Sequence, residues 1–275
     1  MKISFQGAQG AYSDQACREL YPDADTIACT SFEDAFEAVA KGDADLAVIP
    51  IDNTLAGRVA DVHHLLPTSG LHIIGEHFLP IRHCLMGCEG TSLKSVTHVH
   101  SHIHALPQCR RFIRENKFKS SVHADTAGAA AQIAVMKDKT QAAIASALSA
   151  QIYGLDILAE NIQDDDSNKT RFIVLSPEIE SCDVHDNVIT AFVYTVRNIP
   201  AALYKTLGGF ATNGINMLKL ESYVDAGFNA AQFYCEVEGH PRSEGVSLAL
   251  EELGFYAKDI RLLGTFPKSP LRDGF

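Results

Sequence analysis

Short apolar runs and helical repeats alternate along the first 176 residues of the chain. Lys2 to Phe5 is typical of a strand, and the largely apolar run Ala44 to Ile51 is typical of a strand buried on both faces of a parallel sheet. Between them, Ser31 and Asp34 form a capping box before apolar residues at helical spacing, which predicts a helix that ends at Gly42. This rhythm predicts an α/β fold.

The same alternation continues through the middle of the chain. Strands are predicted near residues 71–78, 96–100, 120–124, 141–145 and 170–175, and helices near 104–115, 126–136 and 146–154.

A change of composition then marks a domain boundary. Residues 177–187 are polar and poor in helix formers, which predicts a linker. The order that follows is strand 188–196, helix 201–213, strand 215–222, a turn at 225–227, strand 230–238, helix 242–253 and strand 259–266. This order is the ferredoxin-like βαββαβ unit, so we expect one region at 1–177 and a second at 188–268.

Composition and charge limit the classes of partner. With 46% hydrophobic and 21% charged residues, the 275-residue chain is typical of a globular protein with a real core. A formal net charge of −11 without a basic cluster argues against nucleic acid and anionic lipid. No apolar run is as long as a membrane-spanning helix requires, and no secretory signal is seen. Seven scattered cysteines therefore predict reduced thiols in a cytoplasmic protein.

Polar side chains follow the buried strand that ends at Ile51. Asn53 and Thr54 stand at its carboxyl end, where open α/β sheets bind their ligands. A simple turn explains the same residues, since Asp and Asn favour turns, so both interpretations stay open.

Two predicted helix N-termini offer backbone amides to an anion. The segment Ser101 to Cys109 leads into a helix with an early proline, and Asp125 with Thr126 precedes an alanine-rich helix. Each is also an ordinary helix cap, and only several on one cleft would make an anion site.

Alternate histidines at 98, 100, 102 and 104 do not predict a metal site. Same-face residues lie roughly 7 Å apart along a strand, so four of them cannot converge on one ion. Thr170, Arg171 and Phe172 open a later strand, with Thr170 and Phe172 on one face and Arg171 on the other. Taken alone, this tripeptide is an ordinary strand. Phosphate loops, nucleophile elbows and metal motifs are not seen in the sequence.

In order along the chain, these segments resemble the prephenate dehydratase family. Its opening glycines and serine correspond to Gly7, Gly10 and Ser13. Four further segments carry the likeness, namely Pro50-Ile51-Asp52-Asn53-Thr54, Ser101 to Cys109, Asp125 to Ala130 and Thr170-Arg171-Phe172. The second departs from the family pattern with Ile103 for Pro and His104 for Gln.

The resemblance implies a two-lobed catalytic region similar to type 2 periplasmic binding proteins, followed by a C-terminal ACT regulatory domain. It implies decarboxylating dehydration of prephenate, a dianionic small molecule, to phenylpyruvate in L-phenylalanine biosynthesis, with no cofactor. Thr170 would hydrogen-bond the departing hydroxyl, with His102 as a lesser candidate for proton transfer. The substrate would be held by residues drawn from four segments, namely Asn53, Thr54, Ser101, Thr126, Arg171 and Phe172.

The resemblance also implies phenylalanine as an effector and a homodimer or homotetramer assembled through the ACT domains. Effector contacts would come from Ala201, Ala202, Leu203, Asn216, Glu221 and Ser222. The family has Gly where this chain has Ala201, and Arg-Pro where it has Tyr223-Val224. We therefore expect weakened or altered inhibition.

Two alternatives remain at this level. Arogenate dehydratases share the same motifs, so the motifs do not choose between prephenate and arogenate. A non-catalytic amino-acid sensor would have the same two-region layout, although the intact Thr-Arg-Phe argues against it.

Overall fold

The computed structural model describes residues 1–197, 199–224 and 230–274. The chain forms two compact units, one made of Met1–Val59 and His77–Phe172, the other of Ala60–Glu76 and Ile173–Phe275. The second unit thus takes in a short segment from the first half of the sequence as well as the C-terminal region.

The first 176 residues alternate strands and helices. The strands are β1 (Lys2–Gln6), β2 (Asp25–Cys29), β3 (Leu46–Asn53), β4 (Gly57–Arg58), β5 (His72–Pro80), β6 (Cys84–Gly87), β7 (His98–His102), β8 (Lys119–His123), β9 (Gln141–Ala145), β10 (Asp156–Ala159) and β11 (Lys169–Ser176). The helices are α1 (Tyr12–Leu20), α2 (Phe32–Ala40), α3 (Ala60–Leu65), α4 (Arg110–Glu115), α5 (Thr126–Met136) and α6 (Ala147–Tyr153), with 3₁₀ turns at Leu66–Thr68 and Leu106–Cys109.

Local signals in the sequence begin and end several of these helices. Ser31 Oγ accepts from the Asp34 amide over 3.0 Å, and the Asp34 side chain accepts from the Ser31 amide, so the predicted capping box is present before α2. Gly154 ends α6 in the left-handed conformation that glycine adopts without a steric penalty.

One sheet carries β3, which ends at the predicted Asn53, and β11, which begins one residue before the predicted Thr170. Its order is β2-β1-β3-β11-β5, with β4 paired to β3. The pairs β1–β2 and β1–β3 are parallel, and the β3 core residues Ala47, Val48, Ile49 and Ile51 are fully buried. The Thr54 amide donates to the Lys169 carbonyl over 3.0 Å, so the end of β3 meets the start of β11 at one edge of the sheet.

A second sheet has the order β10-β6-β9-β7-β8. Strands β7, β8 and β9 are parallel, whereas β6 pairs antiparallel with β9 and β10. Helix α5 packs on this sheet, and its small residues Ala129 and Ala130 are fully buried beside Met86 and Ala143. This packing fixes the position of the first residue of α5, Thr126.

The C-terminal region is the predicted βαββαβ unit. It comprises β12 (Val188–Val196), α7 (Ala202–Thr212), β13 (Met217–Val224), β14 (Ala230–Glu238), α8 (Glu244–Tyr256) and β15 (Ala257–Pro267), followed by a 3₁₀ turn at Pro270–Gly274. All pairs in the sheet β13-β14-β12-β15 are antiparallel. The α/β class and this ferredoxin-like order confirm the sequence prediction. The turn predicted at 225–227 lies outside the described residues.

Charged side chains lie in the interior of the second unit. Arg272 donates to both carboxylate oxygens of Glu76, over 2.7 and 2.8 Å, and to Glu236 over 3.0 Å. Both glutamate side chains are completely buried, and Arg272 is 16% exposed. Tyr234 also donates to Glu236 over 2.6 Å. These bonds tie the segment 60–76 to the C-terminal sheet within one unit.

The sequence prediction missed or misplaced a few elements. Strand β6 is only four residues long and buried throughout, so it gave no alternation, and α3 is too short for a helical repeat. The helix predicted at 104–115 begins as a 3₁₀ turn that contains Pro107 and becomes α-helical only at Arg110.

In the part of the chain that the structure describes, no helix is both long and apolar enough to cross a membrane.

Candidate active site

The end of β3 and the start of β11 are joined through two side chains predicted from sequence. Asn53 Nδ2 donates to Thr170 Oγ1 over 2.9 Å. Asn53 Oδ1 accepts from the backbone amides of Leu55 and Ala56 over 2.9 and 2.8 Å, which fixes the orientation of the Asn53 amide. Because Thr170 Oγ1 accepts this bond, its own hydrogen is available to another acceptor.

The polar contacts continue beyond Asn53. Asn53 Nδ2 also donates to Asn168 Oδ1 over 2.8 Å, and Asn168 Nδ2 donates to Gln108 Oε1 over 2.7 Å. Gln108 Oε1 lies 2.9 Å from His83 Nε2, and His83 Nδ1 lies 2.7 Å from the Tyr12 hydroxyl. A continuous row of hydrogen-bonded side chains therefore runs from Thr170 to Tyr12.

This row borders a cavity of about 240 Å³. Its polar lining side chains are those of Tyr12, Ser13, Asn53, His83, His102, His104, Gln108, Thr126, Asn168 and Thr170, and its apolar ones include Ile81 and Phe172. Of the residues that the structure describes, no lysine or arginine lines this cavity. Any anion bound here would be held by uncharged donors and by histidines.

The cavity brings together five of the predicted site residues, namely Asn53, His102, Thr126, Thr170 and Phe172. Phe172 is almost fully buried, and Thr170 and Phe172 share a face of β11 as strand alternation requires.

Three predicted binding residues do not line the cavity. Ser101 is completely buried in β7 and donates to the Ile144 carbonyl over 2.6 Å. Thr54 accepts from the Lys169 amide over 3.0 Å and fastens the β3 end to β11. Arg171, on the opposite face of β11, is 6% exposed and lies 3.6 Å from the Asp52 carboxylate.

Carboxylates of the chain itself meet the amides at the two predicted helix N-termini. The Gly128 amide in the first turn of α5 donates to Asp125 over 2.6 Å. The Arg111 amide in the first turn of α4 donates to both oxygens of Asp164, over 3.1 and 3.2 Å. The expected anion contacts at these amides are thus made internally, and the first turn of α5 contributes to the cavity through the Thr126 side chain.

Two histidines of the cavity, His83 and His102, are held towards their neutral forms. Burial is the main cause that lowers the pKa of His83, although the Gln108 bond opposes it. Burial and the nearby His104 lower the pKa of His102, and the His102 and His104 rings lie 5.2 Å apart. Within the described residues, no cluster of His, Cys, Asp or Glu side chains could hold a metal ion.

Sequence reasoning missed Tyr12, His83, Gln108 and Asn168 as members of the site. Gln108 stood in the family-like segment Ser101 to Cys109, and Asn168 lies two residues before Thr170, on the same side of an extended chain. His83 gave no signal, because it lies in a loop between strands.

The predicted effector residues belong to the C-terminal unit. Ala201 precedes α7 in the left-handed conformation, with φ at +58°, although it carries a side chain. Asn216 Nδ2 donates to Glu238 over 3.0 Å, and Glu221 lies 3.7 Å from Lys219. Ala202 and Leu203 pack against the core of this unit, whereas Ser222 is exposed.

Tyr223, which stands where the family has Arg, turns into the interior. It is 7% exposed, and its hydroxyl lies 2.6 Å from His63 Nδ1. The departure from the family pattern therefore adds a contact between β13 and α3 inside the second unit.

The fold and the site together define an α/β enzyme that is followed by a ferredoxin-like module. The prephenate dehydratase family model matches residues 3–180, and the chain belongs to this family. It catalyses the dehydration of prephenate in phenylalanine biosynthesis.

Relatives match along almost the whole chain. A bifunctional N-acyl-homoserine lactone acylase/prephenate dehydratase of Komagataeibacter europaeus is 43% identical over 98% of this chain and 97% of its own length. Arogenate dehydratase/prephenate dehydratase 2 of Arabidopsis thaliana, a chloroplastic protein, is 36% identical over 97% of this chain and 73% of its own length.

Two solved structures are similar over nearly the full length. GqqA, described as a novel type of quorum quenching acylase, has a TM-score of 0.94 and 43% identity, covering 99% of this chain and 100% of its own. The prephenate dehydratase of Arthrobacter aurescens in complex with L-Phe has a TM-score of 0.88 and 29% identity, covering 98% of this chain and 90% of its own.

Proposed function

We propose that prephenate binds in the cavity beside β11 and that Thr170 donates a hydrogen bond to the hydroxyl that leaves. The observation that carries this assignment is the bond from Asn53 Nδ2 to Thr170 Oγ1. It occupies Thr170 as an acceptor and leaves its hydrogen for the substrate. A donor aimed at the position where negative charge develops stabilises the transition state.

Beyond this hydrogen bond, the reaction requires few contributions from the protein. The bond from the ring to the carboxyl carbon breaks, its electrons complete the aromatic ring, and the carbon–oxygen bond to the hydroxyl breaks. Carbon dioxide and hydroxide leave, and a proton converts the hydroxide to water. Aromatisation drives the step, so positioning and one well-placed donor account for the catalysis that the chain must supply.

Uncharged donors hold the two carboxylates of the substrate in this proposal. Gln108 is suited to be one of these donors. Its side-chain oxygen accepts from Asn168, so its side-chain nitrogen lies on the opposite side of the amide group. Among the described residues, Gln108 Nε2 makes no hydrogen bond to a protein acceptor, and Gln108 lines the cavity. Thr126 and His102 line the same space. The substrate-binding roles predicted for Thr54, Ser101 and Arg171 become supporting ones, because these side chains contact the strands that carry the site.

The test is the turnover of prephenate by the purified protein, measured as the formation of phenylpyruvate. Arogenate is assayed in parallel. Thr170→Val removes the donor and Thr170→Ser keeps it. An inactive valine variant beside an active serine variant supports the assignment, and a valine variant with near-normal turnover removes Thr170 from the mechanism. Arogenate as the faster substrate would keep the chemistry and change the preferred substrate.

Phenylalanine is the effector in this proposal, bound at the C-terminal βαββαβ unit, which we assign as an ACT domain. The L-Phe complex of the Arthrobacter aurescens enzyme supports this assignment through its similarity to the whole chain. Ala201 adds a methyl group where the family has Gly, which narrows the place for the effector backbone. We therefore propose weaker inhibition than a glycine at this position would give. Initial rates at rising phenylalanine concentration test it, and strong inhibition at micromolar phenylalanine would contradict it.

A homodimer or homotetramer is proposed on the same basis. Strands β13 and β15 are the two edges of the C-terminal sheet, and sheet edges are where a second copy can add its own strands. Sedimentation with and without phenylalanine would measure the assembly. The cytoplasmic location remains a prediction from sequence.

A second candidate activity is hydrolysis of N-acyl-homoserine lactones. The full-length 43% identity to a relative named for both activities favours testing it. Release of homoserine lactone from an N-acyl-homoserine lactone is the assay, with heat-denatured protein as the control. Release at the rate of the control would leave prephenate dehydration as the function of the chain.

A further inference from the structure

We infer that His83 is a positioning residue for the reaction, because its Nε2 holds the side-chain oxygen of Gln108 and so keeps the Gln108 amide nitrogen towards the cavity. This inference rests on the substrate-binding role proposed for Gln108. His83 is 2% exposed, and two backbone contacts hold it in place: its amide donates to Gln163 Oε1 over 3.0 Å and its carbonyl accepts from Ile162 over 3.0 Å.

The direction of the row is set at one end by groups that can only donate. The amides of Leu55 and Ala56 require an oxygen at Asn53 Oδ1, so Nδ2 faces Asn168 and Thr170. Asn168 must then present its oxygen to Asn53 and its nitrogen to Gln108. Gln108 in turn must present its oxygen to Asn168. A flip of any one amide would place donor against donor or acceptor against acceptor.

The other end of the row meets His83. Gln108 Oε1 is an acceptor, and His83 Nε2 lies 2.9 Å from it, so Nε2 must carry a hydrogen. The neutral Nε2–H tautomer meets this need, with Nδ1 accepting from Tyr12. The imidazolium meets it too, since Nδ1–H can donate to the Tyr12 oxygen while Tyr12 donates to the Arg82 carbonyl over 2.8 Å. Both charge states keep the donor at Nε2.

The consequence lies at the cavity. With two donors on its oxygen, Gln108 keeps its amide nitrogen towards the substrate, and with Asn53 donating to it, Thr170 keeps its hydrogen free. Without the Nε2 donor, the Gln108 amide loses one of the two bonds that hold its orientation. The Gln108 amide nitrogen is then less well ordered as a donor, whereas Thr170 stays held by Asn53. The loss falls on binding more than on the chemical step, because the substrate carboxylate that Gln108 holds is present in both the ground state and the transition state.

Two variants of His83 separate this role from simple packing. His83→Gln places an amide N–H near the position of Nε2, whereas His83→Leu fills the space without a donor. We expect His83→Leu to raise KM by roughly tenfold with kcat within about threefold, and His83→Gln to keep KM within about threefold of the parent value. Equal changes in both variants would mean that His83 serves packing alone, and an unchanged KM in His83→Leu would overturn the inference.

A pH profile separates positioning from proton transfer. Because both charge states of His83 donate from Nε2, the kcat profile of His83→Gln should superimpose on that of the parent enzyme. A general acid would instead lose its proton as the pH rises, and its replacement by glutamine would abolish the alkaline limb together with most of kcat. The second result would overturn the positioning role.

A measurement on the unmodified enzyme does not depend on the folding of any variant. In protein labelled with ¹⁵N-histidine, with His83→Gln used to assign the signal, we expect a protonated Nε2 at neutral pH. An unprotonated Nε2 beside a protonated Nδ1 would overturn the inference. This result does not depend on turnover. Failure of the substrate-binding role proposed for Gln108, which an unchanged KM in Gln108→Leu would show, can therefore be told apart from failure of the His83 inference.

Discussion

The Asn53 amide donates to the Thr170 hydroxyl across 2.9 Å and so connects the end of β3 to the start of β11. Removal of that hydroxyl leaves the strands in place but takes away the donor to the leaving group. We expect Thr170→Val to lower kcat by about 10²- to 10³-fold, the range seen when one oxyanion donor is lost. Phenylpyruvate formation measures it, and Thr170→Ser is the matched control. Unaltered circular dichroism in both variants would show that the difference is chemical.

Asn53→Asp tests the direction of the same bond. The new carboxylate still accepts from Leu55 and Ala56, but it offers an acceptor where Thr170 and Asn168 met a donor. Thr170 would turn its hydrogen to this carboxylate and away from the cavity. We expect a fall in kcat of about 10²-fold or more and weaker prephenate binding, since an anion now faces an anion. Normal turnover in Asn53→Asp would show that catalysis does not require Thr170 to accept a hydrogen bond from residue 53.

The interior of the second unit depends on Arg272. Replacing it with Met keeps an unbranched apolar side chain but takes the cation away from the Glu76 and Glu236 side chains, both completely buried. We expect the free energy of unfolding to fall by about 3–5 kcal/mol, as for other broken buried ion pairs. Urea unfolding measures the loss. The exposed pair between Lys41 and Glu37 is the control, and Lys41→Met should cost less than about 1 kcal/mol.

Ala201→Gly should change both stability and regulation. Ala201 has φ at +58°, a conformation that costs a residue with a side chain about 1–2 kcal/mol and costs glycine little. We expect the variant to melt at a higher temperature and to be inhibited at lower phenylalanine concentrations. Ala211→Gly, at an exposed position inside α7 and outside the predicted effector contacts, is the control and should only destabilise. Higher stability without stronger inhibition would show that the Ala201 methyl group strains the backbone but does not limit phenylalanine binding.

Stability should fall as the pH drops below neutrality. Burial lowers the pKa of His83 in the folded protein below the 6.5 of an exposed histidine. Between the two pKa values the unfolded chain binds more protons, so the free energy of unfolding decreases as the pH falls from about 6.5. The slope from this group is at most about 1.4 kcal/mol per pH unit. Urea titrations at several pH values would measure it, and His83→Gln should have a smaller slope.

Periodicity was enough to predict most of the fold. The apolar run before Asn53, the capping box of α2 and the glycine that ends α6 each depend on neighbours in sequence, which the chain shows directly. The βαββαβ order followed from the same signals. Strand β6 was not predicted, because four buried residues fit a helix as well as a strand.

The site was predictable only in part. Asn53 and Thr170 stood out because each lies at a strand end in a family-like segment. His83 and Asn168 joined the site through contacts that span 25 and 60 residues to Gln108, and no local pattern encodes such distances. Ser101 and Arg171 share their motifs with true lining residues but point elsewhere, since neighbouring positions on a strand face opposite ways.

Because the direction of these side-chain amides is fixed, deamidation would inactivate the enzyme during storage. Hydrolysis of the Asn53 or Asn168 amide leaves a carboxylate of almost the same shape, which only accepts hydrogen bonds when ionised. A change of a single functional group, invisible to the fold, would reverse one link in the row that ends at Thr170. Old enzyme molecules could then remain folded and inactive, and their deamidated fraction would track the activity lost on storage.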